Sequence, residues 1–275
     1  MIEPGQDPAV HVIDPTHGIA PSPFRYPRRR ARWLAVAGPV VTLALWETLS
    51  RTHAIDPRFF PPPSAIALAL VRLVGTGTLV HDTLTTLWRV LIGFALGAAG
   101  GVLVGLVMGL SPPVRSFLYP VFAAAYPIPK IAILPLVMLI FGMGNASKIV
   151  VVAVSVFFLL LFNTLTGVVT IPAIYLDVGR SFGARRWDFY RTIALPGSLP
   201  LIFTGLKLGL GVGLIVVVAA EFVASNQGLG YLIWQSWQTF RVSSMYVGLA
   251  LVSLLGFLLS LLFDQLERRI VPWRW

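Results

Sequence analysis

Asp177-Val-Gly-Arg-Ser-Phe-Gly183-Ala-Arg-Arg-Trp-Asp-Phe-Tyr-Arg-Thr-Ile193-Ala-Leu195-Pro196-Gly-Ser-Leu-Pro200 is a basic, polar island between two long apolar runs. Its apolar residues are patterned. Val178 and Phe182 lie four apart, as do Phe189 and Ile193, so each pair shares one helical face. Gly183 interrupts the pattern, and Leu195-Pro196 ends it. The spacing predicts two short helices meeting at Gly183. They would lie across a membrane surface with aromatic and Arg side chains outward.

The surrounding composition supplies the membrane. Of 275 residues, 56% are hydrophobic and only 12% charged, too apolar for an ordinary soluble domain. Long uncharged runs make the chain an all-α, multi-span membrane protein. Cysteine is absent, which excludes disulfides, thiol catalysis and Cys metal sites. The four histidines form no metal-ligand spacing, no phosphate-binding Gly-x-x-x-x-Gly-Lys-Ser/Thr is present, and no intramembrane carboxylate pair suggests protease chemistry. No cofactor and no covalent chemistry are expected.

Residues 1–32 hold six prolines and end in Arg25, Arg28, Arg29, Arg30 and Arg32, the composition of a disordered basic tail. Residues 33–275 then form one transmembrane domain of six spans. Trp33–Ser50 is the first, with Glu47 near its far interface. Residues 51–87 lie outside, with a surface helix near Ser64–Val74 that is too short to cross. Trp88–Leu110 is the second span. Its Gly93, Gly97, Gly101, Gly105 and Gly109 recur every four residues, so one face admits a close neighbour. The third span, Phe117–Phe141, carries Pro120, Pro127, Pro129 and Pro135, which predicts a broken helix of the kind that lines a cavity. Lys130 lies in that break. A lysine at membrane depth costs about 2.5–3.5 kcal/mol on insertion scales, so it needs water, a carboxylate or an anionic ligand.

Ile149–Ile171 is the fourth span. The fifth starts with Ser198 as N-cap and Pro200 in its first turn, and runs to Val223. It contains Gly205, Gly209 and Gly213, four apart again, with Lys207 near the inner end and Glu221 near the outer. Glu221 reads as interfacial, with Lys148 or Arg241 as its partner. Pro127, Pro129, Lys130, Lys207 and Glu221 are the candidate substrate-pathway residues. A short aromatic helix within 226–241 sits at the interface, and Tyr246–Phe263 is the sixth span. Asp264 and Glu267 read as solvated acids at the inner rim.

Charge sets the orientation. With the tail inside, thirteen arginines fall on inner segments and six basic residues on outer ones. Cytoplasmic enrichment of Lys and Arg is the bacterial pattern. It accounts for the net charge of +10 without nucleic acid. Both termini are then cytoplasmic, in the inner membrane.

Within this frame the opening stretch resembles the cytoplasmic coupling loop of ABC-importer permease subunits. Their pattern is Glu-Ala-Ala, three residues, Gly, nine residues, Ile, one residue, Leu-Pro. Here Asp177-Val178-Gly179, Gly183, Ile193, Leu195 and Pro196 keep every interval, with Asp-Val-Gly in place of Glu-Ala-Ala. Tyr126-Pro-Ile-Pro-Lys-Ile-Ala-Ile-Leu-Pro135 is similar to the nitrate, sulfonate and taurine importers of that family. The resemblance implies a permease subunit moving a small solute, an oxyanion such as a sulfonate, taurine or nitrate. It implies two cytoplasmic ATPase subunits, where ATP is hydrolysed, and a second permease copy in a homodimer. It also implies a periplasmic or lipid-anchored solute-binding protein, with membrane lipid around the spans. On it, the ATPase-coupling loop spans residues 173–198, with Asp177, Gly179, Phe182, Gly183, Ala184, Arg185, Arg186, Trp187, Phe189, Ile193, Leu195 and Pro196 at the contact. An ion-coupled secondary transporter is the alternative. It too would carry broken helices and intramembrane charges, but it usually shows an internal repeat, and none is visible between the halves.

Overall fold

The computed structural model describes residues 28–183 and 185–274. Most of the proline-rich tail, and Ala184, lie outside the described residues. The chain is helical, with no strand among the described residues. Eleven α-helices follow in order: α1 Arg28–Arg51, α2 Pro63–Gly75, α3 Thr78–Leu110, α4 Pro112–Ala125, α5 Leu134–Phe141, α6 Asn145–Val169, α7 Ala173–Ser181, α8 Arg186–Phe189, α9 Leu195–Ala224, α10 Leu229–Gln238 and α11 Val242–Ile270. Four helices are long and apolar enough to cross a membrane: α3, α6, the run Trp187–Ala224 and α11. Counting the bent α4–α5 pair as one span makes five.

The core is organised on α6, which lies between two glycine faces. A Cβ on Gly97 would stand 2.3 Å from Ala153 O, and on Gly101 2.5 Å from Phe157 O. Gly93, Gly105 and Gly109 meet Val152, Leu161 and Val168 equally closely. From the other side, Gly205 abuts Asn163 and Gly209 abuts Leu160. Lipid gives helices no hydrophobic reason to associate, so intimate backbone contact of this kind supplies the cohesion. Val90, Phe94, Val152, Val156, Leu160, Leu210 and Leu214 fill the seams. Phe94 meets Phe263 of α11 edge-on at 5.4 Å.

The third span is broken as its prolines predict. The axes of its two halves differ by 86°. The bend falls at Pro127 and Pro129, followed by a 3₁₀ turn over Lys130–Ile133. Pro120 is absorbed inside α4, and Pro135 sits in the first turn of α5, where a missing N–H costs nothing.

Other boundaries move. α3 begins at Thr78, ten residues before the expected start of the second span. Its first turns rise above the apolar section and end on polar partners from α9 and α10. α1 packs on α2 and α11: Trp46 meets Tyr246 at 5.5 Å, and Ser50 Oγ donates to Phe60 O at 2.7 Å. Glu47 has a defined task, because its carboxylate accepts the Ser64 N–H at the start of α2 (3.0 Å).

The fifth span starts differently from expectation. Pro196 does not end a helix and Ser198 is not an N-cap. Tyr190–Ala194 form a π-helical turn that carries α8 into α9 without a break. In that wider turn the Leu195 N–H reaches back to Tyr190 O. The extra residue shifts the backbone just ahead of the Pro196 ring, which an ordinary helical turn would hit. Ser198 is buried inside α9, with its hydroxyl on Leu195 O at 3.0 Å.

Candidate functional site: the inner loop and the buried charges

The loop over residues 173–198 is two helices folded back at a glycine. α7 ends at Ser181, and Gly183 adopts φ +66°, the left-handed conformation that only glycine takes without strain. The chain then enters α8 with Arg185 at the N-cap position. Asp188, three residues later, accepts the Arg185 N–H at 3.3 Å, half of a capping box.

Gly179 is the hinge of the packing. A Cβ there would lie 2.7 Å from Ile193 Cδ1 and 3.4 Å from Phe189 Cδ2. α7 therefore rests directly on the π turn, and a Cβ at 179 would have to displace the end of the Ile193 side chain. Gly179, Phe189 and Ile193 come together as the inside of the loop, with Leu195 and Pro196 behind them where α9 starts. Phe182 and Trp187 point the other way and are 86% and 66% exposed. Val178 and Arg185 are exposed as well, and Asp177 lies on the same outward side of α7. Arg186 opens α8.

Sequence reasoning missed two residues here. Tyr190 stacks on Trp187, with rings 5.4 Å apart and 22° from parallel, which stiffens the exposed aromatic surface. Asp188 sets the helix start, and its position three residues after the cap was the available signal. Beneath the loop a cavity of about 420 Å³ is lined by Ile171, Tyr175, Ile193, Pro196 and Trp273.

The three intramembrane charges find protein partners. Lys130 Nζ donates to Ala125 O, Tyr126 O and Ile128 O at 2.8–2.9 Å and lies 4.2 Å over the Phe158 ring. Of these carbonyls, Ala125 O is the one that Pro129, lacking an N–H, leaves without its usual helical donor, and the ammonium supplies one. Lys130 also borders a cavity of about 360 Å³ shared with Ser155, Phe158, Val212 and Ile215. Pro127 and Pro129 themselves are exposed. Lys130→Met is expected to lower the thermal midpoint of the purified chain, whereas a lysine that only met solvent would leave it unchanged.

Lys207 bridges α9 to α11. Its Nζ meets Glu267 Oε2 at 2.6 Å and also contacts the Asp264 carboxylate. Glu267 is 1% exposed, so it is not the solvated rim acid that the sequence suggests. The final turns of α11 fold that carboxylate against α9, out of water.

Glu221 is neither interfacial nor paired with Lys148 or Arg241. It is completely buried and bound by Arg89 of α3 (Nη1–Oε1 2.7 Å). Thr86 Oγ1 donates to the same carboxylate at 2.9–3.0 Å, and so does the Gly230 N–H at 2.9 Å. Arg89 in turn holds Asn145 Oδ1 with two bonds of 2.7 and 2.9 Å. Thr86 Oγ1 accepts the Leu229 N–H, and Asp82 accepts the Gly228 N–H. The first amides of α10 thus rest on side chains of α3 and α9, where a helix N-terminus favours negative charge. The glycines at 228 and 230 allow this approach, since a Cβ on either would stand 2.5–2.7 Å from its nearest neighbours, which include Glu221. Lys148 serves its own turn, donating to Met143 O and Gly144 O. Arg89 was the residue to suspect, but its position near an expected span end disguised it.

The chain's relatives fit this architecture. Residues 101–272 match the family model described as "Binding-protein-dependent transport system inner membrane component". The chain is 33% identical over 255 residues to the taurine transport system permease protein TauC of Escherichia coli, covering 91% of this chain and 93% of that protein. It is 29% identical to the putative aliphatic sulfonates transport permease protein SsuC of Bacillus subtilis, covering 90% of each. The nitrate import permease protein NrtB of Leptolyngbya laminosa is 31% identical, covering 72% of each chain. Among solved structures, inward-facing MetNI methionine ABC transporter superposes with a TM-score of 0.64 at 20% identity, covering 70% of this chain and 96% of that one, a likeness of fold. A glycine-hinged loop on a bundle of close-packed spans, with these relatives, places the chain among the inner-membrane permease subunits of binding-protein-dependent ABC importers.

Proposed function

We propose that this permease carries a small oxyanion and is driven through its inner loop. In this reading α7 and α8 of each copy sit together on the cytoplasmic side, held as a pair by one of two ATPase subunits. Two copies of the chain make the membrane part, and α1 adds the sixth span. An external solute-binding protein delivers the solute, and ATP is hydrolysed on the ATPase subunits. The excess of arginine on the inner segments supports the orientation. Relatives named for taurine, aliphatic sulfonates and nitrate support the substrate class, since all three are small oxyanions.

The observation that carries the coupling role is the exposed pair Phe182 and Trp187 on either side of the left-handed Gly183. Large aromatic side chains held rigidly on a surface are the anchors that small protein interfaces depend on. Asp177 and Arg185 supply a charged rim. Of the intramembrane candidates, Lys130 with Pro127 and Pro129 borders a cavity and is the element proposed to meet the solute. Lys207 and Glu221 spend their charge within the chain and act by positioning α9.

Gly183→Val tests this. No heavy atom lies within 4 Å of a Cβ at 183, so the side chain itself fits. The strain is in the backbone, about 1–2 kcal/mol for an L residue in this region. The variant is expected to insert normally, and the reconstituted importer to lose most of its uptake and its solute-stimulated ATP hydrolysis. Uptake at the parental rate would refute the coupling role. Uptake by the lone chain in proteoliposomes carrying only an ion gradient would favour a secondary transporter instead.

A further inference from the structure

A second basic feature lies at the other end of the molecule, away from the loop. Between α2 and the turn joining α10 to α11 there is a cleft of about 600 Å³. Arg58, Arg72 and Arg241 line it, and no acidic residue does. Arg58 is committed to Asp56, with bonds of 2.8–3.1 Å that hold the aspartate carboxyl below its usual range. Arg72 has no hydrogen-bond or ion-pair partner among the described residues, and Arg241 spends one N–H on Thr239 Oγ1. The cleft is therefore a cationic surface without its own counter-charge.

Its surroundings decide which anion it suits. α2 has 13 residues, about 20 Å of helix, which cannot cross about 30 Å of hydrocarbon. Leu68, Val71 and Val74 on α2 are nevertheless more than half exposed. Phe240, held at φ +54° on the opposite lip, is 87% exposed. Guanidinium groups directly beside exposed aliphatic and aromatic side chains match the boundary between headgroups and acyl chains. A soluble inorganic anion would have no use for that apolar flank.

We propose that this cleft binds the phosphate of an anionic phospholipid, with Arg72 and Arg241 on the phosphate oxygens and the acyl chains along Leu68, Val71 and Phe240. Planar guanidinium forks bind phosphate through paired, charge-assisted hydrogen bonds. Such a lipid would pin α2 and the α10–α11 turn together at the membrane surface. The inference rests on the membrane placement alone and is independent of which solute is carried.

The test uses the full-length permease in nanodiscs of phosphatidylcholine containing a minor share of phosphatidylglycerol, with retained lipid counted by native mass spectrometry after release. The parent chain is expected to retain phosphatidylglycerol over phosphatidylcholine. R72Q/R241Q is expected to lose that preference by about tenfold, and R72K/R241K, which keeps the charge but not the paired hydrogen bonds, to fall between it and the parent. Equal retention of the two lipids by the parent chain would overturn the proposal without recourse to any variant. Unchanged preference in R72Q/R241Q would also overturn it, as would displacement of the lipid by millimolar inorganic phosphate, which would mark a site for a free anion.

Discussion

Gly97→Leu is expected to prevent the chain from accumulating as a folded protein. The added Cβ alone would stand 2.3 Å from the Ala153 carbonyl oxygen and 2.9 Å from Val156 Cβ. Neither contact is the mobile end of a side chain, so α3 and α6 would have to separate along the seam. Overpacking typically costs 1–3 kcal/mol where side chains can adjust, and about 3 kcal/mol or more is expected where backbone blocks the way. Gly211→Leu on α9 is the matched control, because nothing lies within 4 Å of a Cβ there. Membrane yield and the thermal midpoint in detergent measure both. A Gly97→Leu chain that melts with the parent would show that the two spans are further apart than described.

Glu221→Ala should produce the other large loss. It strips the only carboxylate paired with the buried Arg89 among the described residues and removes the acceptor for the Gly230 N–H. Breaking a buried ion pair from one side costs about 3–5 kcal/mol, because the remaining charge is left without compensation. Glu221→Gln keeps an oxygen for the amide and should fall between. Arg89→Met with Glu221→Leu removes both charges, and should be less damaging than Glu221→Ala despite changing more atoms. Thermal unfolding of the four chains gives the comparison. If the double variant is the worst of them, the pair contributes net stability of its own and the argument from an orphaned charge fails.

The two groups of residues were legible in the sequence to very different degrees. The glycine stripes, the proline-broken span and the Gly183 hinge could be read because each is a local property of spacing or of one residue's backbone. The glycine faces then found the partner that close packing requires. The partners of Glu221, Lys207 and Lys130 were not readable, because they come from distant or unexpected positions. Arg89 lies 132 residues from Glu221, and Glu267 lies 60 from Lys207. Lys130 turned to backbone carbonyls beside it in the broken turn rather than to any charge. The start of the fifth span was misread for a related reason. Pro196 reads as an ordinary helix stop, and a π turn that admits it leaves no composition signal.

That same π turn makes one object of two ends of the molecule. From Trp187 to Ala224 the backbone is an unbroken shaft of 38 residues, about 57 Å long. One tip holds the exposed indole, and the other is bolted to α3 and α10 through Glu221. A push delivered at the indole end, as the proposed coupling requires, has no joint in which to dissipate except the wide turn at 190–194. Paired spin labels at the two tips should therefore register each nucleotide step together, with neither end leading.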